Sequence, residues 1–147
     1  MEIPSRLGRY DLIEPLYASD VEVARCVDAA TGARVVIKCT RADAADVATP
    51  ARLRHEYDVL QHLQAARCPG VVEPVEMVEA GGRHLLVLRD AGATSIMRLR
   101  PPESPWPTDV ALRIAAQVVR SLSQIHRASV LHLDINPRNV VVSEADD

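Results

Sequence analysis

The sequence predicts an α+β fold in which strands come first and helices last. Three observations carry this. Short β-branched runs separated by turn residues fill the first 88 positions. One stretch among them, around Arg52 to Ala65, has helical spacing instead. Beyond position 92 the apolar residues recur with a helical period, and prolines punctuate them.

Taken in order, Tyr10 to Leu16 reads as the first strand, Val21 to Val27 as the second and Ala33 to Cys39 as the third. Asp28-Ala29-Ala30-Thr31-Gly32 is the turn between the last two. A helix is expected from about Pro50, with Thr49 as its N-cap and the proline in its first turn. Val71 to Glu79 and His84 to Leu88 make two more strands around Gly81-Gly82. Five antiparallel strands and one helix therefore occupy a first lobe, 1–88. Residues 89–92 are a crossing point, or hinge. Residues 93–147 begin a second, helical lobe. Its long helix is expected from about Thr108 to His126, on Val110, Ile114, Val118, Leu122 and Ile125.

The bulk properties exclude several function classes. At 147 residues, 48% hydrophobic and 25% charged, the chain is a globular domain of ordinary size. A net charge of −3, with acids interspersed among the bases, argues against a nucleic-acid surface. No apolar run reaches the roughly 18 residues of a membrane span, and the start, Met-Glu-Ile-Pro-Ser-Arg, is not a signal peptide. Cys26, Cys39 and Cys68 are odd in number and lack C-x-x-C spacing, so reduced thiols without disulfides are expected. A cytoplasmic location fits all of this.

The chemistry concentrates in three places. Residues 132 to 139 read His-Leu-Asp-Ile-Asn-Pro-Arg-Asn, and the apolar run Val140-Val141-Val142 follows. An Asp fixed by an upstream His, with an Asn five residues on, suits phosphoryl transfer. Asp134 can accept or orient a hydroxyl proton, and the amide oxygen of Asn139 can hold magnesium against phosphates. The second place is Lys38. Of 17 Lys and Arg residues it is the single lysine, and it ends the β-branched run Ala33 to Lys38. Arg is a broad planar fork, whereas Lys is a compact point charge that a narrow cleft can aim at one phosphate. The third is Glu56, which falls on the apolar stripe Leu53, Tyr57, Leu60, Gln64 of the helix. A carboxylate there is costly unless paired, and Lys38 is its natural partner.

These residues make the chain resemble protein kinases over nearly its whole length. Residues 132 to 139, running into a buried strand, are similar to the catalytic loop H-R-D-L-x-x-x-N, and Val35 to Lys38 to the V-A-I-K strand. The phrase His-x-Asp-Ile-Asn-Pro-x-Asn and the Arg54 to Tyr57 segment resemble, more narrowly, large bacterial signalling proteins. Those begin with a Ser/Thr-kinase-like domain, continue with an ATPase-like region and often end in a sensor histidine kinase. The resemblance implies ATP and Mg2+ as cofactors and a protein substrate or downstream domains as partners. It implies that Lys38 contacts the phosphates and Glu56 holds it, the pair of strand three and the C helix. Val23 and Val36 would cover the adenine, backbone at Arg89 to Ala91 would bind its edge, and Leu88 would be the gatekeeper. Asp134 would be the catalytic base and Asn139 a magnesium ligand.

Four departures from the family pattern stand out. Tyr17-Ala18-Ser19-Asp20-Val21 replaces the glycine-rich loop, and Asp20 would repel a nucleotide if it pointed inward. Leu133 replaces the Arg that commonly pairs with a phosphorylated activation loop. Asn136 replaces a Lys near the transferring phosphoryl and can only hydrogen-bond. No D-F-G segment is present, and the chain has no Phe at all. We therefore expect the front part of a longer bacterial protein Ser/Thr kinase, inactive as these 147 residues alone. Two alternatives are a pseudokinase-like module that binds nucleotide or a partner, and a small-molecule kinase of the aminoglycoside or choline type.

Overall fold

The computed structural model describes residues 3–41, 48–100 and 103–143. The chain divides into two compact units. The first takes the residues up to Gln64 together with Val72–Asp90, and the second takes Ala65–Val71 and the residues from Ala91 on.

In the first unit the chain forms β1 (Arg6–Leu7), β2 (Tyr10–Ala18), β3 (Val21–Asp28), β4 (Arg34–Thr40), α1 (Ala48–Ala65), β5 (Pro74–Ala80) and β6 (Arg83–Arg89). All strands pair antiparallel, in the order β1-β2-β3-β4-β6-β5. The five long strands are the ones expected from the sequence. The sixth, β1, is not foreshadowed. It has two residues and exists because Gly8, at φ +62°, turns the chain back onto Tyr10. The helix starts earlier than expected, at Ala48, so Thr49 lies inside the first turn instead of capping it. Its hydroxyl accepts a hydrogen bond from Arg52 at 3.1 Å. Pro50 also sits in that turn, where its missing N–H has no helical partner to lose.

The pleat sorts side chains onto two faces. One face carries Ala24, Cys26, Val35, Ile37, Cys39, Leu85 and Val87, which with Leu7 and Tyr10 form the core. Residues one position along, Val23, Val36, Lys38, Leu86 and Leu88, take the other face by the strand register. The sheet curls until its edges meet. The Tyr10 hydroxyl donates to Glu76 on β5, Arg9 pairs with Glu76 at 3.0 Å and with Asp28 at 3.2 Å, and Gly8 packs on Ala80. Some core-facing positions are charged. Glu22 is ion-paired with Arg83, whose Nε also donates to the Thr40 carbonyl at 2.6 Å. Both Glu22 and Arg83 are buried.

In α1, Leu53, Leu60 and Leu63 are buried. Gln64, expected on the stripe, is exposed and donates to Glu73 at 3.1 Å. Its position is one residue past Leu63, which takes the inward place.

The second unit holds β7 (Thr94–Ser95), α2 (Ile96–Leu99), α3 (Thr108–Arg127) and β8 (Val141–Val142), with β7 and β8 paired antiparallel. Residues Ala65–Val71 belong to it because they pack on α3. Gly70 lies against Ser121, and Cys68 Sγ is 3.6 Å from the Gln124 carbonyl. Of the apolar stripe on α3 only Ile125 is fully buried. The run after the loop is not the buried strand expected, since β8 has two residues, one partner strand, and Val141 is 46% exposed. Among the described residues, no helix is long and apolar enough to cross a membrane.

Two outcomes are expected from this architecture. Gly8→Val would bring a Cβ to 2.9 Å from Ala80 Cβ at a left-handed backbone position. Urea titration should show a loss of about 1–3 kcal/mol. The thiols differ as well. Burial pushes Cys26 and Cys39 up to about 11, whereas Cys68 is only partly buried. Brief iodoacetamide treatment at pH 8, read by mass spectrometry, should modify Cys68 well before the other two.

Candidate functional site

Lys38 sits near the end of β4, on the sheet face opposite the core, because the pleat alternates it with the buried Ile37 and Cys39. Glu56 projects from α1 between Leu53 and Leu60, the two residues that bury that side of the helix. The two side chains meet, with Nζ 2.6 Å from Oε1. Both are about one-third exposed, at 29% and 36%. Pairs this accessible contribute only about 0–1 kcal/mol to stability. The pair therefore fixes where a positive charge stands more than it holds the fold.

Around it the register collects the other residues named from the sequence. Val23 lies directly across from Lys38, and Val36 across from Leu88. Leu88 is buried, and Val23 and Val36 are partly so. Arg89 closes β6. Its N–H donates to the Glu73 carbonyl at 2.8 Å, and its exposed guanidinium pairs with Glu73 at 2.6 Å. Ala91 falls in the second unit.

The hairpin between β2 and β3 is short. The register pairs Ala18 with Glu22, so Ser19, Asp20 and Val21 make its tip, and Ser19 N–H donates to the Val21 carbonyl at 2.9 Å. Asp20 is not left facing a ligand alone. Its carboxylate lies 3.7 Å from the guanidinium of Arg52 on α1. Nothing in the sequence pattern flagged that partner, because it comes from a different element.

In the second unit, the loop after α3 builds a compact network on Asp134. Leu133 before it has φ +60°, a left-handed conformation rare for a branched residue, and its side chain is 89% exposed. Asp134 N–H donates to the His132 carbonyl at 2.9 Å, and His132 Nδ1 lies 3.4 Å from the same nitrogen. Asn136 Nδ2 donates to Asp134 Oδ1 at 2.9 Å, and Asn139 Nδ2 to Asp134 Oδ2 at 2.8 Å. Each carboxylate oxygen thus has its own amide. Asn139 Nδ2 also reaches the Asp134 carbonyl at 2.9 Å, and Asn136 Oδ1 accepts the Arg138 N–H at 2.9 Å. The far end of the loop is docked on α2, where Met97 and Ile96 N–H groups donate to the Pro137 and Val140 carbonyls at 3.2 and 3.0 Å.

This geometry bears on metal binding. With its amide nitrogen committed to Asp134, Asn139 turns its other atom, Oδ1, away as an acceptor. An amide oxygen is the hard donor that magnesium takes, alongside waters and phosphate oxygens. Among the described residues no three His, Cys, Asp or Glu side chains converge as a metal site.

Known proteins resemble this arrangement. The chain matches the protein kinase domain model over residues 19–147. It is 29% identical, over 94% of its length, to the serine/threonine-protein kinase pkn2 of Myxococcus xanthus, and spans 16% of that protein. It is 28% identical, over 96% of its length, to the serine/threonine-protein kinase AfsK of Streptomyces griseus, and spans 17% of it. The crystal structure of the Mycobacterium tuberculosis PknI kinase domain superposes with a TM-score of 0.70 and 26% identity, over 98% of this chain and 58% of that one. The curled strands with a Lys–Glu pair and the Asp-centred loop agree with these matches, and the chain belongs to the protein kinase family.

Proposed function

We propose that the chain supplies the ATP-binding sheet and the catalytic loop of a bacterial protein Ser/Thr kinase. The observation that carries this reading is the Lys38–Glu56 pair, which contributes little stability and holds the chain's single lysine on the sheet face away from the core. Lys38 contacts the phosphates, with Glu56 fixing its direction. Val23 and Val36 cover the adenine, Leu88 is the gatekeeper, and backbone from Arg89 to Ala91 meets the adenine edge. Asp134 orients a protein hydroxyl and accepts its proton, held by the amides of Asn136 and Asn139. Asn139 Oδ1 is the residue atom that would hold Mg2+, which when bound neutralises phosphate charge. The protein acts in the cytoplasm on a protein substrate or on further domains of a longer chain.

A second reading, a nucleotide- or partner-binding module without transfer, is favoured by two observations. The hairpin tip, Ser19 to Val21, offers no glycine backbone to phosphates. Asn136 supplies an amide where the family places a cation. Among the described residues no three His, Cys, Asp or Glu side chains gather as a metal site, and the 147 residues alone are expected to bind ATP without phosphorylating protein.

Calorimetric titration with ATP and Mg2+ tests the binding. Lys38→Met and Glu56→Gln should each weaken ATP by roughly tenfold or more, as expected for losing a charge-assisted contact. Their unfolding free energies should move by less than about 1 kcal/mol. Unchanged affinity in both variants would refute the assignment. Labelled phosphate appearing on a generic protein substrate with the purified chain would overturn the expected inactivity.

A further inference from the structure

Asp90 is the first residue past β6, and its side chain is only 2% exposed. Arg25 Nε donates to its Oδ2 at 2.8 Å, and Arg34 Nε lies 3.5 Å from the same oxygen. Arg25 is itself 10% exposed, and its NH1 donates to Glu14 on β2. The backbone joins in, since Asp90 N–H donates to the Arg34 carbonyl at 3.3 Å. Arg25 stands across from Val36 on the adjacent strand, and Val36 across from Leu88. The whole cluster therefore shares the sheet face of Val23, Val36 and Leu88, away from the core.

A buried ion pair such as Arg25–Asp90 is a costly way to end a strand, because apolar side chains of the same volume stabilise as well or better. What the cluster does supply is direction. A guanidinium anchored on one carboxylate and reaching a second through another nitrogen fixes both distance and angle. The residue it fixes is Asp90, directly after Arg89 at the end of β6.

We propose that Arg25, acting through Asp90, is a positioning residue for the nucleotide base. It holds the backbone beyond β6 at the angle needed to hydrogen-bond the adenine edge. This rests on the nucleotide-binding reading above. The Arg25 guanidinium is engaged by Asp90 and Glu14, so its effect is expected on the base and not on the phosphates.

The test titrates the 147-residue chain with adenosine, ATP and inorganic tripolyphosphate, for wild type, Arg25→Met, Arg25→Lys and Asp90→Asn. Arg25→Met is expected to weaken adenosine and ATP by ~10-fold, the size of about one oriented hydrogen bond, and to leave tripolyphosphate unchanged. Arg25→Lys should recover part of the loss. Hydrogen exchange in a peptide spanning 88–93 should quicken in Arg25→Met. If that variant does not fold, Asp90→Asn, nearly isosteric, must show the same base-selective loss. A folded Arg25→Met that binds adenosine as wild type does overturns the inference. So does wild-type protein that binds tripolyphosphate but not adenosine. Wild-type protein that binds none of the three overturns the nucleotide-binding reading itself, and the inference with it.

Discussion

The period of two along β3, β4 and β6 is the constraint on which the rest depends. Odd and even positions of β4 are assigned to different tasks, with Val35, Ile37 and Cys39 buried and Val36 and Lys38 on the opposite face. A register slip of one residue would drive Lys38 into the core and put Ile37 on the face that Lys38 now occupies. The Lys38–Glu56 pair, the Val23 and Val36 surface and the Arg25–Asp90 cluster all inherit their positions from this alternation. The core and the Lys38–Glu56 pair occupy opposite sides of one sheet.

Charge is used in two different ways in the same unit. On the core face, Arg83 and Glu22 are nearly inaccessible, and removing one of them would strand the other at a cost of about 3–5 kcal/mol. On the other face, Lys38 and Glu56 are open enough that water screens them, and their loss is cheap for the fold. The first pair is integral to the structure. The second is poised, and its worth depends on what comes to meet it. The loop in the second unit follows the same logic at smaller scale. Two neutral amides hold the Asp134 carboxylate at both oxygens, which orients it without neutralising it.

Much of this was legible in the sequence, and the limits have physical causes. Lys38 and Glu56 announced themselves as misfits: a lone lysine among arginines, and a carboxylate on an apolar stripe. The long strands were readable from β-branched runs and their turns, and α3 from its period. Thr49 was misplaced because a good capping residue also serves inside a first turn, here as an acceptor for Arg52. The two-residue β1 lies below any periodic signal. The partnerships of Arg25 with Asp90 and of Tyr10 with Glu76 could not be read at all. They join residues 65 and 66 positions apart, the first through the β3-β4-β6 strand order and the second through the curl of the sheet. The sequence shows that Asn136 brings a hydrogen-bonding amide and no cation, but not that the amide's partner is the Asp134 carboxylate two residues back.

The meeting of the sheet's two edges has a consequence for the chain's life in a crowded solution. An open sheet ends in strands whose unpaired N–H and C=O groups invite another molecule to add itself. Here one terminal strand is only two residues long, and the other, β5, is engaged through Glu76 and Ala80 by the turn that follows β1. Beside that edge lie the Arg9–Glu76 ion pair and the Tyr10 hydrogen bond. The short terminal strand and the side chains crowded against β5 are features by which sheet edges are kept from pairing with other chains.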